Sequence, residues 1–389
     1  MEPLVISFFY DFNCIADKCS DNCCRSWNLT VDDETLKKYM EEPGREGKAL
    51  RKSIKRTSSG EYCMRAPFGK CVYQEKDGLC RLQKENRTEH LPKVCRLFPR
   101  YTVSYGGVET GVIDLACRPA AELFLKQEGR LKFIPAREKL DIYWDIPEAD
   151  GKFAGHLLRD LELVLDRIWA AEDYRAFRNA QKDCFIHIYG EHLKLVRNDL
   201  EGLLEVPFDK SFLERKYPDE IPWMIKERCK EAFDGLQLLP VSFVNDMLYG
   251  WFPELYLFFS HRGAFKLILD YKRYFGKVFE SKADEFFSER LEKIFEKNSW
   301  LPGKLRSYFS YKLQMLYPGA SVDYYMPEPF IMALLFLAVL EVFVITFYEK
   351  EKRMDREILS GLIAKTDRLL GHNTTVRGKV MDKVRRELF

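Results

Sequence analysis

The stretch CIADKCSDNCCRSW spans residues 14–27 and holds four of the chain's eleven cysteines. In a reducing compartment, thiolates at such close spacing are usually metal ligands rather than halves of disulfides. The segments around this stretch are short and rich in turn-forming residues, so they cannot build much regular core. We therefore expect metal ligation to stabilise this part of the chain.

The cysteine pattern continues well beyond this stretch. Nine of the eleven cysteines lie within the first 117 residues. The candidate metal ligands are Cys14, Cys19, Cys23, Cys24, Cys71, Cys80, Cys95 and Cys117.

The kind of metal centre is left open by the spacing. The pair Cys14 and Cys19 has the C-x4-C spacing typical of a zinc knuckle. The chain has only six histidines, which favours an all-thiolate site, and such a site suits zinc and an iron–sulfur cluster equally. Cys23 and Cys24 are adjacent, and neighbouring side chains in an extended segment point to opposite faces. We therefore do not expect both to bind the same iron.

The remainder of the sequence predicts a mainly α fold in two parts. Residues 1–130 are predicted to form a small cysteine-rich metal-binding domain, residues 131–152 a linker, and residues 153–389 an all-helical domain. The last prediction rests on apolar residues that recur at helical spacing after the linker. Cys184 and Cys229 lie within these helical segments and are predicted to be buried core thiols.

Two local elements are predicted inside the cysteine-rich part. Asp32 or Asp33 is placed to cap a short helix that runs through Tyr39. The apolar segments on either side of Gly106-Gly107 predict a small hairpin.

One apolar segment, Phe330 to Phe347, is long enough to raise the question of a membrane span. Its eighteen residues include only Glu341 and Thr346 as polar types. Eighteen residues is the lower limit for a span, and a carboxylate in mid-segment is costly in hydrocarbon. We expect a buried core helix, with a membrane helix or a partner-binding helix as the alternatives.

The charge balance argues against two classes of partner. Lys and Arg number 62 and Asp and Glu number 60, so no overall field attracts nucleic acid or an anionic membrane. The N-terminal segment has no basic region and no small-residue cleavage site, so it does not read as a secretory signal. We therefore expect a cytoplasmic protein with neither nucleic acid nor membrane as a partner.

The order of the cysteines resembles that of a known family. The resemblance covers about residues 8–125 and is carried by C-x4-C-x3-C-C-x2-W, by Gly78-Leu79-Cys80, by Cys95-Arg96-Leu97-Phe98-Pro99-Arg100 and by Leu115-Ala116-Cys117. In these features the chain is similar to the flagellin lysine-N-methylase family. The N-terminal pattern is also similar to cysteine-cluster proteins that chelate zinc or iron.

The resemblance implies an enzyme that methylates lysine side chains of flagellin, with S-adenosylmethionine as methyl donor. It also implies a [4Fe-4S] cluster held by the N-terminal cysteines, with the eight candidates above as the matching positions. Eight exceed the four that one cluster needs, so the surplus is either a second metal site or structural thiols. Arg96 and Arg100 are candidates to bind the donor's carboxylate or to neutralise the thiolates, and surface ion pairs are the alternative.

Two common ways of binding the donor are absent from the sequence. A radical S-adenosylmethionine enzyme would show C-x3-C-x2-C, but Ser26 stands where the third cysteine should follow Cys19 and Cys23. No G-x-G-x-x-G segment is present either. We therefore expect polar methyl transfer to a neutral amine, and no residue is marked as catalytic. The alternative functions are a non-catalytic zinc- or iron-binding protein and an iron–sulfur redox partner.

Overall fold

A computed structural model describes most of the chain and allows these expectations to be compared with the fold. The candidate ligand Cys24, the neighbouring Trp27 and the predicted core thiol Cys229 lie outside the described residues. The described residues are 2–19, 21, 23, 29–57, 60–146, 151–196, 262–275, 283–317 and 327–372.

Short helices and strands alternate in the first part of the chain. The helices are α1 (Asp33–Glu41), α2 (Gly44–Lys52), α3 (Arg81–Lys84), α4 (Lys93–Leu97) and α5 (Arg118–Lys126). The strands are β1 (Leu4–Ile6), β2 (Ile54–Arg56), β3 (Tyr62–Met64), β4 (Arg100–Tyr105), β5 (Val108–Ile113), β6 (Phe133–Pro135) and β7 (Trp144–Ile146).

Helix α1 begins where the sequence predicts, at a cap formed by Asp32. Its carboxylate accepts hydrogen bonds from the backbone N–H of Thr35 at 3.0 Å and from the Thr35 hydroxyl at 2.9 Å. The same carboxylate accepts a hydrogen bond from the backbone N–H of Lys93 at 2.7 Å. Asp32 therefore satisfies an orphan donor of α1 and also holds the start of α4 against it.

The predicted hairpin is confirmed as β4 and β5, which are joined by Gly106 and Gly107. Both glycines have positive φ, at 55° and 79°, as a two-residue hairpin turn of the primed type requires. The hairpin is the centre of a five-stranded mixed sheet with the order β6-β1-β5-β4-β7. Strand β1 runs parallel to β5, and β7 runs parallel to β4.

The sequence analysis did not predict the outer strands of this sheet. Strands β1, β6 and β7 are three residues long, which is too short for an alternating pattern to be recognised. Strands β6 and β7 lie within the segment predicted to be a linker. The protein is thus mainly helical, as predicted, but it also contains a mixed sheet.

Long helices make up the rest of the described chain, as the apolar periodicity predicts. They are α6 (Gly151–Trp169), α7 (Tyr174–Val196), α8 (Arg262–Phe275), α9 (Ala283–Lys297), α10 (Leu301–Leu316), α11 (Pro327–Glu351) and α12 (Arg356–Gly371).

Helix α11 contains the long apolar segment and is the central helix of the core. Among the described residues it is the one helix long and apolar enough to cross a membrane, and 94% of its most apolar window is buried inside the protein. Its carboxylate at Glu341 accepts hydrogen bonds from the Tyr174 hydroxyl and, at 2.9 Å, from Arg178. The polar residue in mid-segment is therefore satisfied by α7, as a core helix requires.

One apolar core joins the sheet to the helices. Phe8, which follows β1, packs against Phe124 of α5 and Tyr311 of α10, with ring centroids 6.4 and 5.8 Å away. The Tyr311 hydroxyl bonds both backbone groups of Ile113, accepting from the N–H at 2.8 Å and donating to the carbonyl. This contact fixes the end of β5 against α10, and the candidate site lies at that point.

Candidate functional site

A first group of cysteines lies in a small core of its own. Cys71 is buried among Tyr39 and Leu50, and Cys80 and Cys95 pack against the same cluster. Burial is the main reason that the pKa of the Cys95 thiol is raised, and the neighbouring thiols add to it. Burial also raises the pKa of Cys71, and the nearby Cys80 thiol raises it further. The three thiols are thus close enough to interact electrostatically.

A second group lies on the side of the main core. Cys117, at the start of α5, packs against that core. The pKa of its thiol is raised by burial first and then by the charges of Cys19 and Cys23. Cys19 donates a hydrogen bond to the carbonyl of Asp21 at 2.8 Å. Its pKa is also raised, by burial first and then by neighbours that include Cys14.

Cys23 connects the two groups, because its charge acts on thiols in both. It raises the pKa of Cys71 and Cys95 in the first group and of Cys19 and Cys117 in the second. The fold therefore brings together all seven described cysteines that the sequence selects. Two other cysteines stay apart from them, since Cys63 is buried on β3 and Cys184 is buried in the core of α7.

The chemistry of this donor set fits a thiolate-ligated metal centre. A single zinc ion would draw four sulfurs to within about 3.8 Å of one another, because each Zn–S bond is about 2.3 Å long. Among the described residues, no three cysteine sulfurs lie within 4.8 Å of one another. The described sulfurs are thus farther apart than the ligands of a single zinc ion.

Helix α12 supplies cations to the loop that carries Cys19, Asp21 and Cys23, which we call the cysteine loop. Arg368 forms an ion pair with Asp21 at 2.6 Å and donates a hydrogen bond to the carbonyl of Ala116 at 2.8 Å. Lys365, one turn earlier, has a pKa lowered chiefly by burial, and the nearby Asp21 opposes that shift. Both residues lie more than 240 positions from the cysteines in sequence, so no local pattern could have identified them.

The two arginines selected from the sequence lie in different environments. Arg96 is exposed on α4. Arg100, at the start of β4, donates a hydrogen bond to the carbonyl of Phe12 at 3.0 Å, and its guanidinium lies 5.6 Å from the centre of the Phe9 ring. Only Arg100 of the two lines the cavity described next.

A cavity of about 290 Å³ opens between the hairpin and the ends of α10, α11 and α12. One wall is the segment Phe98-Pro99-Arg100, and Tyr143 and Trp144 form another. Phe336 and Met332 of α11 close the far side. The cavity thus combines aromatic surfaces with the buried charged groups contributed by α10 and α12.

The first of these charged groups is the ion pair between Lys312 and Asp367. Both side chains are almost completely buried, at 2% and 1% exposed, and the Tyr308 hydroxyl also donates to Asp367. The Lys312 amine lies 4.5 Å from the centre of the Phe336 ring. Burial raises the pKa of Asp367, and the charge of Lys312 opposes that shift.

The second is the pair formed by Asp114 and His372. The Asp114 carboxylate lies 2.8 Å from Nε2 of His372 and accepts a hydrogen bond from the backbone N–H of Ala116, also at 2.8 Å. Burial acts to raise the pKa of Asp114, but the charge and hydrogen bond of His372 and the charge of Lys312 outweigh it. The net pKa is lowered, so Asp114 is held as a carboxylate.

A third cluster of potential ligands lies on the surface of the small core. Glu42, Glu46 and His90 bring three donor atoms within 4.8 Å of one another. Arg87 already forms an ion pair with Glu46, and a cation at that position competes with a metal ion for the same carboxylate.

Apart from Arg100, the sequence analysis missed the charged groups in the cavity. Lys312 and Asp367 lie at buried positions of α10 and α12, beside apolar residues such as Leu313 and Leu369. A charged residue at such a position is rarely buried unless it is paired, and this is the signal that could have marked them.

Comparison with known proteins identifies relatives among flagellar and methylase proteins. Flagellar biosynthetic protein FliU of Salmonella muenchen is 32% identical over 117 residues, which cover 28% of this chain and 69% of FliU. The lysine-N-methylases of Salmonella choleraesuis and Salmonella typhimurium are each 31% identical over 117 residues, which cover 28% of this chain and 29% of each methylase. No family model matches the chain. No solved structure matches it either.

Proposed function

The chain belongs to the family of FliU and the lysine-N-methylases, and we propose that it is a protein lysine N-methyltransferase. The match spans only 29% of the length of the lysine-N-methylases, and the proposed reaction rests on the site as well as on the family. We propose S-adenosylmethionine as the methyl donor and flagellin as the protein substrate. The flagellar name of one relative supports the choice of substrate.

One observation carries the proposal: a single segment serves both the cysteine group and the cavity. Cys95 of α4 lies with the first group of thiols, whereas Val94 and the residues Phe98 to Arg100 line the cavity. This is the segment with the clearest resemblance to the family. A metal centre at the cysteines would therefore hold one wall of the cavity in place.

The cavity has the chemistry that the donor requires. Its volume of about 290 Å³ is close to the lower end of the range for small-molecule sites, which begins at roughly 300 Å³. Aromatic surfaces such as those of Phe98 and Tyr143 attract a sulfonium cation through the ring quadrupole. Arg100 is the residue we assign to the donor's carboxylate. Arg96, because it is exposed on α4, is proposed for contacts outside the cavity.

Methyl transfer in this cavity requires an uncharged lysine amine. The amine nitrogen attacks the sulfonium methyl carbon, the C–N bond forms as the C–S bond breaks, and the electron pair of the broken bond stays on sulfur. The apolar walls disfavour the charged ammonium because they remove it from water. Transfer also requires the nucleophile and the methyl group to be held close to in line.

The cysteines are proposed to hold iron and sulfide. Cys71, Cys80 and Cys95 together with Cys23 provide the four thiolates that one [4Fe-4S] cluster needs. Cys14, Cys19 and Cys117 remain, and Cys24 follows Cys23 in the chain, so a second set of four is available for another centre. When bound, such a cluster would cross-link the loops that carry its ligands. We propose that its role is structural, because no C-x3-C-x2-C motif is present.

A single preparation tests both the cofactor and the reaction. The protein is purified without oxygen, its iron, sulfide and zinc are measured, and it is then incubated with flagellin and S-adenosylmethionine. We expect lysine peptides of flagellin to gain mass in steps of one methylene, with S-adenosylhomocysteine as the by-product. Unmodified flagellin with metal-replete protein would favour a non-catalytic metal-binding protein, and 5′-deoxyadenosine as the by-product would exclude polar transfer.

A further inference from the structure

We propose that His372, oriented by Asp114, is the base that takes the proton from the target lysine before methyl transfer. This inference rests on the proposed function and assigns a catalytic residue to it. It is carried by the geometry of the pair and by its position in the cavity.

The carboxylate of the pair is held rigidly. The backbone N–H of Asp114 donates to the carbonyl of Pro99 at 2.6 Å, and one carboxylate oxygen accepts from the N–H of Ala116. The other oxygen lies 2.8 Å from His372 Nε2. The position of the carboxylate therefore fixes the orientation of the imidazole, as the aspartate does in Asp–His catalytic pairs.

The hydrogen bond also sets the tautomer. An ionised carboxylate only accepts, so Nε2 carries the hydrogen and the lone pair of the neutral ring is on Nδ1. The His372 side chain is 27% exposed, against 8% for Asp114, and both line the cavity. The ring packs against Phe98 at an interplanar angle of 69°. The imidazole is thus the more exposed member of the pair, and the more buried carboxylate accepts a hydrogen bond from it.

The carboxylate of Asp114 is the charge that would stabilise an imidazolium at His372. The other titratable groups that line the cavity are Arg100 and Tyr101 on β4, Tyr143, Lys312 on α10 and Asp367 on α12. Lys312 and Asp367 neutralise each other. Arg100 is the residue assigned to the donor's carboxylate, and its guanidinium also bonds the carbonyl of Phe12 and packs against the rings of Phe9 and Phe12. The negative charge of Asp114 is therefore balanced when His372 gains a proton, which stabilises the imidazolium as it forms.

The proposed step balances without a further reactant. The lysine ammonium gives one proton to the imidazole and becomes a neutral amine, while the imidazole becomes an imidazolium. The amine then takes the methyl group from S-adenosylmethionine, which leaves as S-adenosylhomocysteine, and the product is a methylated ammonium. The imidazolium returns its proton to solvent before the next turnover.

The chain provides a matched control in a second Asp–His pair. His187 Nε2 lies 2.8 Å from Asp160, the same distance as in the cavity pair. The Tyr317 hydroxyl also donates to Asp160. Neither His187 nor Asp160 lines the cavity. This second pair therefore serves as the control for an Asp–His pair with a purely structural role.

The test compares the pH dependence of methylation in the wild type with that in His372→Gln, Asp114→Asn and His187→Gln, each loaded with metal and checked for folding. For His372→Gln we expect kcat near pH 7 to fall by about 10²- to 10⁴-fold, the usual contribution of a general base, with little change in KM for S-adenosylmethionine. The loss should shrink as the pH approaches about 10.4, where lysine loses its proton unaided. His187→Gln should keep the wild-type profile.

A further measurement tests the inference if one of these variants folds poorly. Activity of His372→Ala should be partly restored by imidazole in solution, and that of His187→Ala should not respond to imidazole. A wild-type pH profile in His372→Gln would overturn the role of His372 alone, whereas absence of methylation by the wild type would overturn the proposed function.

Discussion

Replacing Lys312 by Met would leave the carboxylate of Asp367 buried without its cation. Lys312 and Asp367 are almost fully buried, and apart from this ion pair Asp367 is held by the hydroxyl of Tyr308. Met has a similar length and no charge, so the substitution removes the charge and keeps most of the packing. Lys312→Met therefore isolates the cost of an unpaired buried carboxylate.

The size of the effect follows from the burial. Removing one partner of a buried ion pair costs roughly 3–5 kcal/mol of unfolding free energy. The full cost applies only while Asp367 is ionised. Burial already raises its pKa in the intact protein, and Lys312 is the main group that opposes this, so the variant raises the pKa further. A folded-state pKa above the unfolded value means that the native state holds an extra proton, and stability then falls as pH rises.

The assay is denaturant unfolding of metal-loaded wild type and variant at several pH values. We expect the variant's deficit to be largest near neutral pH and to shrink as the pH falls toward 3.8, the ordinary value for an aspartate. The double variant Lys312→Met with Asp367→Asn should recover much of the loss because no charge stays buried. Lys84→Met, which breaks an exposed pair with Asp77, should have little effect. A deficit for Lys312→Met that does not depend on pH would refute the electrostatic argument.

Three further predictions concern the metal centre and its supports. Cys71→Ser should lower the iron and sulfide content of anaerobically prepared protein. Cys184→Ser, in the core of α7, should leave that content unchanged. Equal loss in both variants would contradict the separation of ligand thiols from core thiols. Arg368→Gln removes the ion pair with Asp21 and should speed release of iron to a chelator, and an unchanged rate would show that α12 does not support the cysteine loop. Asp32→Ala should lower the unfolding free energy by about 1–2 kcal/mol through loss of the helix cap, and Asp33→Ala, at the exposed neighbouring position, is the control. Hydrogen bonds from Lys93 and Thr35 outweigh burial and lower the pKa of Asp32. The difference in stability between wild type and Asp32→Ala should therefore fade as the pH drops below 3.8.

The cysteine set was selected from residue type and local spacing, and its role as a set of metal ligands stays a prediction. Thiolates crowded into a turn-rich segment have few structural roles other than ligation, and the fold brings together the described members of the set. The cap at Asp32 and the turn at Gly106-Gly107 were predictable for the same reason, since each depends on a few consecutive residues. The buried helix α11 followed from a continuous apolar sequence.

The cavity could not be predicted, because its walls come from distant parts of the chain. Asp114 and His372 are separated by 258 positions, and Lys312 and Asp367 by 55. No periodicity relates them. The three-residue strands β1, β6 and β7 were missed for another reason: each is defined by its pairing with a neighbouring strand, not by a pattern of its own.

Helix α12 would connect the proposed metal centre with the proposed site of polar methyl transfer. Arg368, near the end of this helix, binds Asp21 and the carbonyl of Ala116, in the loop that leads to Cys117. One turn later His372 contacts Asp114, at the other end of the same loop. The loop from Asp114 to Cys117 thus connects a candidate metal ligand to the proposed catalytic pair over three residues. A metal bound at Cys117 would fix that loop and, through it, the position of the base in the cavity.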